Sequence, residues 1–138
     1  MKHFFLDTNI IIDLLAKRLP FAPAAMQLFE AAAKKQVTLY VSSLSFANVH
    51  YTLRKATSPA ISLDLLQELA GLVRIIAIDE SVVRQALATP NPDFEDALQY
   101  FSAQAVTAIE LIVTRDPKGF STSNLPTATA AEAVAKLA

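Results

Sequence analysis

The sequence has no cysteine and no tryptophan, and its 138 residues include only two glycines and two histidines. Without cysteine the chain has no disulfide framework, no thiolate nucleophile and no thiolate metal site. The isolated glycines, Gly71 and Gly119, cannot build a phosphate-cradling loop or a dinucleotide-binding fingerprint. The spacing of His3 and His50 makes no zinc motif, and no serine stands in a glycine-flanked nucleophile elbow. Several common classes of enzyme are therefore excluded.

Long apolar runs are also missing, although the chain as a whole is rich in apolar residues. No run approaches the length of a bilayer-spanning helix, and Asp7 interrupts the apolar start before it could form a signal peptide. The composition, 53% hydrophobic and 18% charged, is typical of a folded globular protein. The length suits one domain, and no internal repeat divides it. We therefore expect a single cytoplasmic domain over residues 1–138, without membrane contact.

The net charge of −1 does not indicate a nucleic-acid-binding protein, but the charges are unevenly distributed. Residues 1–55 contain seven Lys or Arg residues and three acidic residues, whereas residues 56–138 contain five and ten. The basic pairs at 17–18, 34–35 and 54–55 could follow a phosphate backbone. Solvated helix ends are the alternative explanation for each of these pairs.

Short β-rich stretches alternate with helical patterns along the chain. The strands are predicted at 2–6, 37–41, 73–78 and 111–114, with a further edge strand near 126–128. Helices are predicted between them, and the clearest break is the proline-rich loop at 89–92. The alternation predicts an α/β fold in which helices cover both faces of a mainly parallel sheet of four to five strands.

Carboxylates follow two of these strands, Asp7 after the first and Asp116 after the fourth. Asp96 lies in the first turn of the helix before the fourth strand, and the loop at 89–92 would bring it to the same sheet edge. Three converging carboxylates without a lysine or histidine must bind protons or a cation. Oxygen-only ligands favour Mg²⁺ or Mn²⁺, the ions of many nucleases and phosphatases.

Each of these acids also has a purely structural explanation. Asp7 could cap the following helix, and Asp93 fits the N-cap of its own helix, with Asp96 three residues later in a box-like position. Asp116 could be a turn residue, and Asp13 could form a salt bridge or face solvent. The carboxylates therefore indicate a metal site only if the fold brings them together.

Three segments together resemble the PIN-domain family, and within it the VapC-type toxin ribonucleases of toxin–antitoxin pairs. They are residues 5–13 (FLDTNIIID), 93–99 (DFEDALQ) and 112–120 (IVTRDPKGF). The resemblance implies a three-layer α/β/α sandwich with a Mg²⁺- or Mn²⁺-dependent endoribonuclease site. It also implies an RNA substrate, a small antitoxin partner and a homodimer. It assigns metal-site roles to Asp7, Asp96 and Asp116.

One position departs from the family pattern. Asn48 stands where the family places a glutamate on the helix after the second strand. An amide can offer its carbonyl oxygen to a metal or a water, but it brings no negative charge. Glu95 is the nearest additional acid, but neighbouring helical positions point about 100° apart, so it is not assigned to the site.

With Asn48 in place of the glutamate, two functions are compatible with the family resemblance. The residues alone also allow a third. The first is a metal-dependent ribonuclease in which Asn48 is a weak ligand or orients a water. The second is an inactive module that binds RNA or protein, and the third is a small-molecule phosphatase. Asn9 and Thr114 are expected to orient the carboxylates, and Asp93 has a secondary role. Candidate contacts to the RNA backbone are Lys17, Arg18, Arg115 and Lys118.

Overall fold

A five-stranded sheet forms the centre of the protein, in a computed structural model that describes residues 1–91 and 93–138. The strands are β1 (Lys2–Leu6), β2 (Val37–Ser42), β3 (Arg74–Ile76), β4 (Leu111–Val113) and β5 (Thr127–Ala128). Their order in the sheet is β3-β2-β1-β4-β5. All four neighbouring pairs are parallel, which confirms the prediction of a mainly parallel sheet.

The described residues also form seven α-helices and one short 3-10 helix. The helices are α1 (Thr8–Leu15), α2 (Ala22–Ala33), α3 (Ser43–Ala56), α4 (Pro59–Ala70), α5 (Glu80–Ala88), α6 (Phe94–Gln104) and α7 (Ala130–Ala135). The 3-10 helix is Pro117–Phe120. Ser42, Ser58 and Asp79 each cap a helix by accepting a hydrogen bond from a backbone N–H three residues later. Within residues 1–91 and 93–138, no helix is both long and apolar enough to cross a bilayer.

The third strand is shorter than the predicted 73–78. Its pairing with β2 stops at Ser42 opposite Ile76, because Ser42 is the last residue of β2 and begins the turn into α3. The backbone N–H of Ile78 instead donates to the Ser43 hydroxyl at 3.1 Å. The predicted break at 89–92 includes Pro92, which lies outside the described residues.

The sheet is buried on both faces, which explains why β1 is a continuous apolar run. Phe4 and Leu6 point to one face, into a core shared with α1, α2, α3, α4 and α7. Phe5 points to the other face and packs with Tyr100 of α6 and Phe120 of the 3-10 helix. The result is the three-layer arrangement that the sequence predicted.

The order in which the chain adds strands to the sheet reverses at β1. Helices lead the chain from β1 to β2 on one side, whereas β4 lies on the other side of β1. Connections that diverge at such a switch point leave a crevice at the carboxyl ends of the strands, where open α/β sheets bind ligands. Asp7 follows β1 and Thr114 follows β4, and the Asp7 N–H donates to the Val113 carbonyl at 2.9 Å. Both residues therefore lie at the crevice.

Candidate metal centre

A cavity of about 340 Å³ opens at this crevice. Its lining is polar or acidic apart from one isoleucine, and among the described residues it includes no lysine, arginine or histidine. The lining residues are Asp7, Thr8, Asn9, Ile12, Asn48, Thr52, Asp93, Glu95, Asp96 and Asp116. The fold thus places six residues that were predicted from the sequence around one cavity, together with four that were not.

Three carboxylates come especially close together. Asp7, Glu95 and Asp96 each place an oxygen within 4.8 Å of the others. Asp116 is exposed and lines the same cavity, but it is outside this group among the described residues. Two of the three carboxylates predicted to hold a metal therefore form the cluster, and Glu95 joins them.

The expectation that Glu95 points away from the site is wrong, and the start of α6 explains why. Gln99 lies four residues after Glu95 and three after Asp96, so both acids share one broad helix face with it. The Gln99 side-chain amide donates to the Glu95 carboxylate at 3.4 Å. Both acidic side chains line the cavity.

Asp93 and Asp7 each combine a structural role with a place in the cavity. Asp93 is the N-cap of α6, and its side chain accepts a hydrogen bond from the Asp96 N–H at 3.1 Å. Asp7 precedes α1, and its Oδ1 accepts from the Thr8 N–H at 2.8 Å. Its Oδ2 accepts from the Thr114 hydroxyl at 2.9 Å. Asp7 therefore caps α1 and also lines the cavity.

Burial and mutual repulsion raise the pKa values of two of the carboxyl groups. Burial is the main cause that raises the pKa of Asp7 from 3.8 to about 6, against the lowering effect of its two hydrogen bonds. Burial, followed by the charge of Asp7 and then of three other carboxylates, raises the pKa of Asp96 to about 7. Near neutral pH the cluster therefore favours the binding of protons or of a cation.

Gln99 is a buried polar residue for which no role was predicted. It is fully buried, and its Oε1 accepts from the Ser42 hydroxyl at 2.7 Å. Its amide nitrogen donates to the Thr8 hydroxyl at 3.1 Å and to the Ser45 hydroxyl at 3.0 Å. These bonds join the first turns of α1 and α3 to α6 behind the carboxylates. The sequence signal that could have indicated this role is the position of Gln99, four residues after Glu95 and three after Asp96, on the same helix face.

Gly119 contacts the cluster from the 3-10 helix. A Cβ atom added at this glycine would lie 1.9 Å from Oδ2 and 2.7 Å from Cγ of Asp96. The absence of a side chain is what allows the backbone to pack against that carboxylate. From the sequence, Gly119 was noted only as part of segment 112–120, which resembles the PIN-domain family. Its contact with Asp96 could not be predicted, because only the fold brings the two residues together.

Gly119→Ala is therefore expected to displace the Asp96 carboxylate and to weaken Mn²⁺ binding by about 10-fold, a typical effect of disturbing the support of a ligand. The matched control is Gly71→Ala. Gly71 has φ −77°, and an added Cβ there would meet only the Glu68 carbonyl at 3.4 Å. Calorimetric titration of the three proteins with Mn²⁺ measures the difference. Equal affinities would contradict the role of the close contact.

Asp13 and Arg115 form an ion pair away from the cavity. Two Arg115 nitrogens donate to the Asp13 carboxylate at 2.6 and 3.0 Å, and Asp13 is only 1% exposed. The guanidinium also lies 4.1 Å from the centre of the Phe21 ring. Asp13 is thus a salt-bridge residue, and its partner is Arg115, one of the residues predicted to contact RNA. Lys17, Arg18 and Lys118 are exposed.

Solved structures show the same fold. A DNA-bound VapBC from Salmonella typhimurium has a TM-score of 0.68 at 17% identity and covers 94% of this chain and 99% of that chain. Mycobacterium tuberculosis VapC20, a sarcin-ricin loop cleaving toxin, has a TM-score of 0.67 at 15% identity over 86% of this chain and 94% of that one. VapBC2 from Rickettsia felis, bound to a promoter DNA fragment, has a TM-score of 0.66 at 20% identity over 92% and 98%. At these identities the similarity is one of fold.

Sequence comparison gives the family directly. No protein with a curated description matches the chain significantly. The PIN domain family, however, matches residues 3–118, which include the predicted segments 5–13 and 93–99 and most of 112–120. This match extends over most of the chain and agrees with the fold of its structural relatives. The chain belongs to the PIN domain family, as its sequence predicted.

Proposed function

We propose that the protein is a metal-dependent endoribonuclease and the toxin of a toxin–antitoxin pair. The observation that carries this proposal is the convergence of Asp7, Glu95 and Asp96 within 4.8 Å at the switch point of the sheet. Family membership supports it, as does the fold shared with VapC20, a toxin that cleaves the sarcin-ricin loop.

The cluster fits a hard divalent cation such as Mg²⁺ or Mn²⁺. Its donors are all carboxylate oxygens, which hard cations prefer, and the cavity has room for the waters that such ions retain. The raised pKa values of Asp7 and Asp96 agree with a site that needs positive charge. When bound, the ion would polarise the phosphodiester, activate a water and stabilise the leaving oxygen. Asp7, Glu95 and Asp96 would hold it directly, and Asp116 through a water.

The surrounding residues fix the carboxylates before substrate binds. Thr8 and Thr114 hold both oxygens of Asp7, and Gly119 packs against Asp96. Such preorganisation means that little rearrangement is needed during the reaction. Asp116, exposed at the cavity, would accept a hydrogen bond from the attacking water and so orient it. The water oxygen would then bond to phosphorus while the ester P–O bond breaks. The proton lost by the water would pass to Asp116 and on to solvent, and the leaving oxygen would take up a proton from solvent, leaving a phosphate on one RNA end and a hydroxyl on the other.

The direct test is incubation of the protein with a single-stranded RNA. We expect internal cleavage with Mn²⁺ or Mg²⁺, none with EDTA, and no turnover of p-nitrophenyl phosphate. Turnover of that phosphomonoester without RNA cleavage would instead identify a phosphatase. The proposal fails if neither ion supports cleavage of RNA.

Asn48 favours a second candidate, a PIN domain that binds RNA or protein without cutting. Asn48 lines the cavity but cannot add a negative charge to it. Binding of RNA without cleavage in the presence of either ion would support this alternative.

The variant Asn48→Glu tests whether this position reaches the metal. We expect Mn²⁺ to bind roughly 10-fold more tightly, because a charged ligand is added. The metal-free variant should melt at a lower temperature, since a further carboxylate joins a crowded cluster. Gln67→Glu, on the exposed side of α4, adds the same charge outside the cavity as a control. Equal Mn²⁺ affinities in all three proteins would exclude Asn48 from the site.

We further propose an antitoxin and a second copy of the chain as partners. The structural relatives include toxin–antitoxin complexes, which supports the antitoxin. An apolar cavity of about 410 Å³ between α1, α2 and α4 suits the hydrophobic face of a partner helix. Its apolar lining includes Leu14, Leu15, Met26, Phe29, Leu65, Leu69 and Leu72. Light scattering on the purified protein, alone and co-expressed with a neighbouring reading frame, measures both associations.

A further inference from the structure

The exposed side of α3 next to the cavity carries an aromatic ring and two cations. Asn48 and Thr52 of this helix line the cavity. Tyr51 is 56% exposed, and the Arg54 guanidinium lies 4.6 Å from the centre of its ring. Lys55 is also exposed, and α3 contains no acidic residue. This surface therefore differs sharply in charge from the acidic cavity that it adjoins.

The helix geometry places these residues along one continuous surface. With 3.6 residues per turn, Lys55 lies two turns after Asn48 on the same side. Tyr51 lies about 60° around the helix from Asn48, and Arg54 lies about 60° beyond Tyr51. Tyr51 is separated from Asn48 by about one turn, or roughly 5 Å along the axis. A strand that has one phosphate in the cavity and runs along α3 would therefore bring a neighbouring base to the tyrosine.

A second aromatic–arginine pair, Phe21 with Arg115, differs from the pair of Tyr51 and Arg54 in how its arginine is held. Phe21 lies against Arg115, but that arginine is held by the buried Asp13. Within residues 1–91 and 93–138, Arg54 makes no salt bridge, so its charge is free to interact with a ligand. Tyr51 as a whole residue is 56% exposed. The Tyr51 pair therefore has the character of a binding surface, and the Phe21 pair that of a structural contact.

We infer that Tyr51 and Arg54 form a stacking platform for one RNA base beside the phosphodiester that is cleaved, with Lys55 contacting the backbone. The inference rests on the proposed function in one respect, that the RNA strand enters the acidic cavity. Stacking on an aromatic ring is available to every base, and an adjacent arginine adds a favourable cation–π interaction. The platform would position the strand while the carboxylate cluster performs the reaction.

The absence of tryptophan allows a direct test, because Tyr51→Trp would carry the only indole in the chain. A short single-stranded RNA with phosphorothioate linkages, added with Mg²⁺, is expected to quench its fluorescence. Phe21→Trp is the matched control, since it places the only indole against an arginine at a residue that does not line the carboxylate cavity. Equal responses of the two proteins, or no response at Tyr51→Trp, would overturn the platform.

Binding constants and kinetics give a second, independent measurement. Tyr51→Leu is expected to weaken RNA binding and raise KM by about 10-fold, while Tyr51→Phe keeps both near the wild-type values. The kcat and the melting temperature should change little, because the ring is exposed and lies outside the carboxylate cluster.

If the wild type cleaves RNA and Tyr51→Leu has an unchanged KM, the platform alone is wrong. If the wild type does not cleave RNA but Tyr51→Trp is quenched, the proposed catalysis fails and the platform stands. Emission that depends on protein concentration without RNA would show that a second copy covers Tyr51, which also overturns it.

Discussion

Asp7→Asn is expected to lower metal-dependent RNA cleavage by at least about 100-fold while making the metal-free protein more stable at neutral pH. The loss follows because an amide cannot supply the negative charge with which Asp7 would hold the cation, and metal catalysis contributes several kcal/mol to such reactions. The gain follows because the charged form of Asp7 is disfavoured in the fold, where burial raises its pKa to about 6. A pKa shift of this size corresponds to about 3 kcal/mol of unfolding free energy at pH 7.5.

The opposite directions of the two effects separate a chemical role from a structural one. A residue needed only for folding would lose activity and stability together when it is replaced. The control is Asp64→Asn, which makes the same change at an exposed position of α4. Cleavage rates with Mn²⁺ and urea denaturation in EDTA, measured on the three proteins, give both quantities. Wild-type cleavage rates in Asp7→Asn would remove Asp7 from the mechanism.

The convergence of Asp7 and Asp96 at one cavity could be predicted from the sequence because their positions depend on backbone topology alone. A residue that follows a parallel strand and a residue in the first turn of a helix are placed by the order of elements, before any side-chain packing is known. The same reasoning located Thr114 at the end of β4, beside Asp7. Family resemblance added Asn48, which the structure indeed places at the cavity.

Glu95, Gln99 and Gly119 could not be placed in this way, because their roles depend on how far side chains reach and how closely the backbone packs. Glu95 was set aside from an idealised helix angle, but its longer side chain reaches the shared cavity. Gly119 contacts Asp96 only because the 3-10 helix folds back onto α6. The partner of Asp13, Arg115, is 102 positions away in the chain. Sequence spacing carries no record of contacts at such a distance.

The free energy of unfolding of the metal-free protein is expected to fall as the pH rises from about 4 to about 7. Over this range Asp7 and Asp96 hold protons in the folded state, with pKa values of about 6 and about 7, that they have already lost in the unfolded chain. The folded state binds more protons, so stability decreases with increasing pH until both groups are ionised. The decrease should be about 2 kcal/mol larger in the wild type than in Asp7→Asn, which lacks one of the two groups.

Mn²⁺ should restore the unfolding free energy that is lost, but only at pH values at which the carboxyl groups are ionised. At pH 7.5, an ion concentration 100 times the dissociation constant would raise the unfolding free energy by about 2.7 kcal/mol. At pH 4.5 the same concentration should have little effect, because protons compete for the oxygens of Asp7 and Asp96. Urea denaturation of the wild type and Asp7→Asn at the two pH values, with Mn²⁺ and with EDTA, measures all of these differences.

Parallel pH curves for the two proteins would show that Asp7 does not titrate as its burial requires. Equal stabilisation of both proteins by Mn²⁺ would show that the ion binds elsewhere, since only the wild type has the complete carboxylate cluster.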